Sequence, residues 1–361
     1  MTAPRMTSAN RWPVAVLGAT GAVGQAFIRL LEDHPWFDLV EVAASERSAG
    51  KTYREATRWL EGHMPDAVAA LTVAACDPSV VRAPIIFSAL DSSVAGDVEA
   101  AFAAAGRVVL SNAKNFRMED DVPLVIPEVN GTHLGLLERQ RRERGWPGGI
   151  VTNANCAVTT IALALAPLHE KFGVTKLFVT TMQAVSGAGY PGVASLDILG
   201  NAIPFIGDEE PKIESEITKL LGVFDGTSIV PADIVTSSHA NRVPVEHGHT
   251  VCLSVQFATK PSPAEAIEVL KAWTGDPAVH GLPSAPSPVL IVRDEVDRPQ
   301  PRRDAMAGKG MAVSVGRVRT DPIFDLRLVA MAHNVIRGAA GGSILNAELM
   351  VASGQLGIPR T

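Results

Sequence analysis

The feature that most restricts the fold lies near the start of the chain. An apolar run from Pro13 to Leu17 passes directly into Gly18-Ala19-Thr20-Gly21-Ala22-Val23-Gly24, after which Ala26, Phe27, Leu30 and Leu31 recur at helical spacing. A strand, a glycine turn and a helix in that order open a βαβ unit, in which turn N–H groups and the positive helix end receive a pyrophosphate. The spacing is GxxGxxG, a variant, and glycine triplets also make ordinary tight turns, so the motif draws its weight from its position after the first strand. Further apolar runs at 39–43, 71–74, 85–88 and 107–110, with helical stretches such as 95–104 between them, alternate as a doubly wound parallel sheet requires.

These elements predict an α/β protein whose N-terminal, Rossmann-like, doubly wound domain occupies residues 1–150. The charged segment 138–144 and the turn-rich Trp146-Pro147-Gly148-Gly149 mark its end. From 151 to 339 the strands, such as 176–181 and 249–257, are longer and alternate polar with apolar residues. That pattern predicts an α+β domain with a mixed or antiparallel sheet covered on one face. A C-terminal helix within about 340–361, apolar at Ile344, Leu345, Leu349 and Val351, is expected to pack back on the first domain.

A chain of 361 residues that is 47% hydrophobic and 19% charged can fill such cores and is not a disordered one. The net charge is -6, and the basic residues are interspersed with acids, as at 138–144, which argues against a nucleic-acid partner. No apolar run approaches the roughly 18 residues of a membrane span, and residues 1–12 have no signal-like apolar core. The expectation is therefore no membrane partner and a cytoplasmic location. Cys76, Cys156 and Cys252 contain no CxxC pair, so neither a disulfide framework nor a metal site is expected.

In the first crossover, Gly18, Thr20, Gly21, Ala22, Val23 and Gly24 are the candidate pyrophosphate turn. The end of the second strand reads Ser45-Glu46-Arg47-Ser48-Ala49-Gly50-Lys51. Arg47, Ser48 and Lys51 offer donors to the 2′-phosphate of NADP, whereas Glu46 stands where an acid would bind the ribose hydroxyls of NAD. The donors outnumber the acid, so NADP is expected and NAD is left open.

Asn155-Cys156 precedes a helical face of Val158, Ile161, Ala162 and Leu165, which puts Cys156 in a first helical turn, where the helix dipole favours a thiolate. His249, Val251, Leu253, Val255 and Phe257 share one strand face, so His249 points into a desolvated space as a proton-transfer partner. His247 stands between solvent and site. Arg242 carries a planar fork suited to a carboxylate, or to a structural salt bridge. Gln183, ahead of the glycine-rich 186–190, either orients a substrate or ends a strand.

Together these residues resemble the aspartate-semialdehyde dehydrogenase family, nearer its archaeal and fungal branch, over almost the whole chain. The resemblance rests on GATGAVG at Gly18, SERSAGK at Ser45, SNAKNFRM at Ser111, VPLVIPEVN at Val122, TMQAVSGAGYPG at Thr181, RVPVEHGHT at Arg242, RPQPR at Arg298 and GAAGGSILNAELM at Gly338. It implies NADPH-dependent reduction of L-aspartyl 4-phosphate to L-aspartate 4-semialdehyde and phosphate through a Cys156 thioacyl-enzyme, within biosynthesis of lysine, threonine, methionine and isoleucine. It implies that Cys156 is the nucleophile, His249 the acid/base and Gln183 a positioning residue. Arg242 and Asn155 would bind substrate, Arg117 and Lys212 the phosphate, and Glu209 the substrate amine. Ser45, Ser88, Ser186, Gly187 and Asn346 would join the cofactor set, and residues 151–339 would be the catalytic and dimerisation domain of a homodimer or homotetramer. A malonyl-CoA reductase-like enzyme and a catalytically silent NADP-binding paralogue are the alternatives.

The chain departs from the family at Ala154, where proline is usual, and at Ala157, where serine or threonine is usual. Loss of that hydroxyl is expected to leave a helix N–H or the thiolate short of a hydrogen bond. A protonated His249 is expected to support the thiolate.

Overall fold

The computed structural model describes residues 11–357. Residues 1–10, in the segment read for a signal peptide, and 358–361, the end of the C-terminal assignment, lie outside the described residues.

The first half builds one parallel sheet from β1 (Trp12–Leu17), β2 (Phe37–Ala44), β3 (Ala74–Ala75), β4 (Ile85–Ser88), β5 (Val108–Ser111), β6 (Leu124–Val125) and β7 (Gly149–Asn153). Its order is β3-β2-β1-β4-β5-β7-β6, so the winding reverses between β1 and β4. Ligands of open α/β sheets bind outside the strand ends at such a reversal. The helices α1 (Ala22–Leu31), α2 (Ser92–Ala104) and α3 (Leu136–Arg144) accompany these strands. Residues 14–17 are all fully buried, because a parallel sheet is covered on both faces. The strand expected at 71–74 shrinks to two residues. Leu71 O and Val73 instead bond back to Tyr53, Gly50 and Lys51 in the crossover after β2. The helix expected from 95 starts at Ser92, since the Asp91 carboxylate accepts the Ser93 N–H and caps it.

After α4 (Cys156–Phe172) come β8 (Val174–Gln183), α5 (Glu209–Leu220), a short hairpin of β9 (Val223–Phe224) and β10 (Ile229–Val230), then β11 (Val235–Arg242), β12 (His249–Phe257), α6 (Pro263–Ala272), β13 (Leu290–Arg293), β14 (Val313–Thr320) and β15 (Leu326–Ala332). The six longer strands form a sheet ordered β11-β8-β12-β15-β14-β13. The outer pairs β11–β8 and β13–β14 are parallel and the rest antiparallel, which makes the sheet mixed. Alternation along β8 places Leu177 and Val179 in the core beneath α4, and Lys176 and Met182 on the outward face. The last helix, α7 (Gly341–Ala352), packs on β5 and β7, as its apolar stripe predicts. Its Ile344, Leu345 and Leu349 share a core with Val14, Phe27 and Phe87. Among the described residues no helix is long and apolar enough to cross a membrane.

Candidate active site

Gly18 adopts φ +67°, and a Cβ there would lie 2.5 Å from Ala89 O; at Gly24 it would lie 2.3 Å from Gly18 O. Only glycine fits either place. The turn is held from outside: Tyr53 donates its hydroxyl to Ala19 O at 2.8 Å, and Gln25 donates Nε2 to Thr20 O at 3.0 Å. Gly21 precedes Ala22 and Val23 at the start of α1. Among the described residues that helix end has no side-chain cap and no first-turn acid. The cradle therefore fits a dinucleotide pyrophosphate, through open N–H groups and a positive helix end. Ser88 ends β4 beside the reversal point, buried against the Glu99 carboxyl group. Ser45, Glu46, Arg47 and Lys51 are exposed on the turn after β2, with Ser48 half-buried. Neither Arg47 nor Lys51 is in an ion pair among the described residues, so both are free to meet a phosphate.

From β7 the chain reaches Asn155, which caps α4. Its Oδ1 accepts N–H groups of Ala157 at 2.9 Å and Val158 at 3.2 Å. The expectation that Ala157 costs a helix N–H its partner is thus corrected: the cap amide takes it. Cys156 is the first helical residue and half-buried. A π-helical turn, Ile336–Ala340, closes over it and leads into α7. A Cβ at Gly338 would lie 2.6 Å from Cys156 Cβ, so the backbone there rests directly on the cysteine.

Three strand ends of the second sheet face the same place. Gln183 and Arg242 are register partners at the ends of β8 and β11, and His249 opens β12. The backbone of one residue orients two of them: Ala184 N–H donates to His249 Nδ1 at 3.1 Å, and Ala184 O accepts Arg242 Nη1 at 2.7 Å. A Cβ at Gly187 would stand 2.9 Å from Arg242 Nη1 and 3.0 Å from His249 Cε1, so both side chains need a glycine there. Arg242 is buried yet makes no ion pair among the described residues, which removes the structural salt bridge as its role. At the start of α5, Glu209 accepts both Asn155 Nδ2 contacts (2.9 and 3.0 Å), Gln183 Nε2 (3.0 Å) and Lys212 Nζ (3.1 Å). Arg117 donates Nη1 to Glu216 and Nη2 to Asn112 O, each at 2.8 Å.

Asn346 and His247 each have partners of their own. Asn346, buried on α7, donates Nδ2 to Val125 O at 3.3 Å and lies 3.5 Å from Asn153 Oδ1, not on the glycine turn. His247 turns to Ser186 Oγ at 3.1 Å and stacks on His333 with centroids 4.7 Å apart. Sequence reasoning missed Glu216, Asn112 and Gly338 as parts of the site. The 209, 212, 216, 219 spacing of α5, one helical face, was a signal available for the first of these.

Burial, with Glu209 adding to it, pushes the Cys156 thiol up to about 12, against the opposing pull of Arg117 and Arg242. Burial and then the charges of Arg242 and His333 push His249 down to about 3. The Ala184 N–H requires a lone pair on Nδ1, so the neutral ring carries its hydrogen on Nε2, which has no partner among the described residues. The resting pair is thus thiol and neutral imidazole, not the expected thiolate and imidazolium. The helix end contributes only about 1 kcal/mol toward the anion, and desolvation beside a carboxylate exceeds it. Modification of Cys156 by a neutral alkylating reagent is accordingly expected to accelerate about tenfold per pH unit between about pH 7 and 9, because the thiolate fraction grows at that rate below the pKa. Mass-spectrometric rates that level off near neutrality would show a thiolate ion pair instead.

Residues 13–136 match the family model described as semialdehyde dehydrogenase, NAD binding domain, and residues 165–337 the one described as semialdehyde dehydrogenase, dimerisation domain. The aspartate-semialdehyde dehydrogenase of Archaeoglobus fulgidus is 52% identical over 342 residues, covering 94% of this chain and 98% of the relative. The chain belongs to the aspartate-semialdehyde dehydrogenase family. The family member from Schizosaccharomyces pombe is 48% identical over 350 residues, with 94% and 98% covered. Aspartate-semialdehyde dehydrogenase with NADP from Candida albicans superposes with a TM-score of 0.88 at 42% identity, over 95% of this chain and 99% of that one. Aspartate-semialdehyde dehydrogenase II complexed with ASA, from Vibrio cholerae, reaches 0.75 at 27% identity, over 94% and 98%.

Proposed function

We propose that the protein is an aspartate-semialdehyde dehydrogenase that reduces L-aspartyl 4-phosphate to L-aspartate 4-semialdehyde and phosphate with NADPH, in biosynthesis of lysine, threonine, methionine and isoleucine. The observation that carries the reading is the gathering of Arg117, Arg242 and Glu209 within electrostatic range of one half-buried cysteine at a capped helix start. Arg242, unpaired with any acid among the described residues, receives the substrate carboxylate on the donors left beyond Ala184 O. Glu209 takes the amine, with Gln183 and Asn155 holding its carboxylate in place. Arg117, whose buried Nε has no partner among the described residues, and Lys212 take the phosphate.

The Cys156 sulfur bonds to the acyl carbon as the carbon–oxygen bond to phosphate breaks. The S–H proton leaves on the departing phosphate and a thioester remains. His249 fills the acid's place as a hydrogen-bond donor, its Nε2–H stabilising the negative charge that develops on the acyl oxygen. NADPH, when bound, supplies the hydride that reduces the acyl group. The Gly18–Gly24 cradle, Ser45, Arg47, Ser48, Lys51, Ser88, Ser186, Gly187 and Asn346 would hold it, and Cys156 takes up a proton from solvent when aldehyde leaves.

Residues 1–150 with the C-terminal helix serve as the NADP-binding domain and 151–339 as the catalytic and dimerisation domain of a cytoplasmic homodimer or homotetramer, except that 151–153 complete β7 and so belong to the first domain's sheet. The outward sheet face carrying Lys176, Met182 and Val235 is the surface that a second copy would cover. The test is phosphate-dependent oxidation of aspartate semialdehyde with NADP, followed by NADPH absorbance, beside reduction of malonyl-CoA. Activity only with malonyl-CoA, or none with either acyl donor, overturns the proposal in favour of a thioester reductase or a silent paralogue. Arg47→Ala is expected to weaken NADP binding about tenfold and NAD binding little, since only NADP carries the phosphate. Equal losses in titrations with the two cofactors would leave Arg47 a solvated turn residue, and a wild-type preference for NAD would favour Glu46.

A further inference from the structure

Along α5, Glu209, Lys212, Glu216 and Lys219 recur on one helical face, and the proposed function uses only the first two. Glu216 is 1% exposed. Its Oε1 accepts Arg117 Nη1 at 2.8 Å and its Oε2 accepts the Asn155 backbone N–H at 2.7 Å. One turn on, the buried Lys219 donates Nζ to the carbonyls of Arg117, Glu119 and Val122 at 2.8, 2.7 and 2.8 Å. Burying a carboxylate is costly unless its partners satisfy it, so what the two bonds of Glu216 hold is informative. One holds the guanidinium on the loop after β5. The other holds the residue that caps the helix of Cys156, at the end of β7.

We propose that Glu216 is a positioning residue: its carboxylate sets the Arg117 guanidinium at a fixed place relative to the start of α4, so that a phosphate on Arg117 stands in line with the Cys156 sulfur. Lys219 anchors the loop from which Arg117 extends. Glu216 touches neither substrate nor cofactor, and it acts through Arg117 and Asn155. With Nη1 and Nη2 both committed, the orientation of the guanidinium, and of its free Nε–H, follows from Glu216. The inference rests on the proposed function, because it assigns phosphate to Arg117.

The test uses the full-length enzyme and phosphate-dependent oxidation of the semialdehyde. Glu216→Gln keeps the side-chain volume but offers one acceptor to two donors, so one bond is lost. Displacements of about 1 Å at a reacting centre cost up to a hundredfold. The expected result is a phosphate KM raised about tenfold and a kcat lowered about tenfold to a hundredfold. The NADP dissociation constant stays unchanged, and Glu216→Asp, which keeps the charge on a shorter arm, falls between the two. A lowered melting temperature with wild-type constants in the folded fraction, or Glu216→Asp no better than Glu216→Gln, overturns the proposal. If Glu216→Gln does not fold, Glu216→Asp decides alone: raised phosphate KM with reduced kcat supports it, and wild-type constants overturn it. An inactive wild type overturns the functional reading and this inference together, whereas an active wild type with unaltered variants overturns the inference only.

Discussion

Cys156→Ala is expected to lower phosphate-dependent turnover by roughly four to six orders of magnitude, the scale seen when a covalent nucleophile is removed. NADP affinity should stay within about threefold of wild type, because the sulfur acts on the acyl carbon and not in the glycine cradle. The fold should tolerate the change. Alanine is a good helix former at the first position of α4, the cap from Asn155 uses backbone N–H groups that remain, and the Gly338 contact is to a Cβ that alanine keeps. Measuring turnover and cofactor affinity on one preparation separates chemistry from folding. Residual turnover within about a hundredfold of wild type would mean that the acyl group is not carried on Cys156.

Arg242→Lys is expected to lower kcat/KM for the semialdehyde by about a hundredfold to a thousandfold, with loss in both kcat and KM. Arg242 spends one donor on Ala184 O and keeps the rest of its fork for a carboxylate. A lysine ammonium is a point charge; bonding Ala184 O, it cannot also present two parallel N–H groups to the substrate. The same burial that lowers the guanidinium pKa would act more severely on an ammonium, which can lose its proton altogether. Stability should change little, since Arg242 has no ion pair to break among the described residues. Kinetics beside a thermal melt decide the matter. Near-normal kinetics would remove Arg242 from the site, and a large drop in melting temperature with normal kinetics would return it to the fold.

How much of this could be read from the chain depends on the range of the interaction concerned. The glycine cradle was legible because positive φ and backbone approach are local demands, and the motif follows its strand without a gap. Cys156 at a helix start was legible because Asn155 and the apolar spacing after it lie within two turns. Alternation in β8 and β12 announced a sheet covered on one face and buried His249, since side-chain period follows from strand geometry alone. The strand expected at 71–74 was not of this kind. Its apolar residues suit β structure, but pairing with the crossover at 50–53 claimed their backbone groups.

The sequence by itself determined most of the elements, the doubly wound class and the residue types available for acyl chemistry, because propensity, periodicity and turn chemistry act over a few residues. Only the tertiary structure decided their charge states and companions. A cysteine at a helix start promises a thiolate, yet burial beside Glu209, 53 positions away in sequence, keeps it protonated. Glu216 reaches Asn155 across 61 residues and Arg117 across 99. In the sequence, 209, 212, 216 and 219 form a charged helical face of the sort normally left in water. Whether such a face is solvated or becomes the scaffold of a site depends on what folds over it, and electrostatics and burial are sums over neighbours that only the fold assembles.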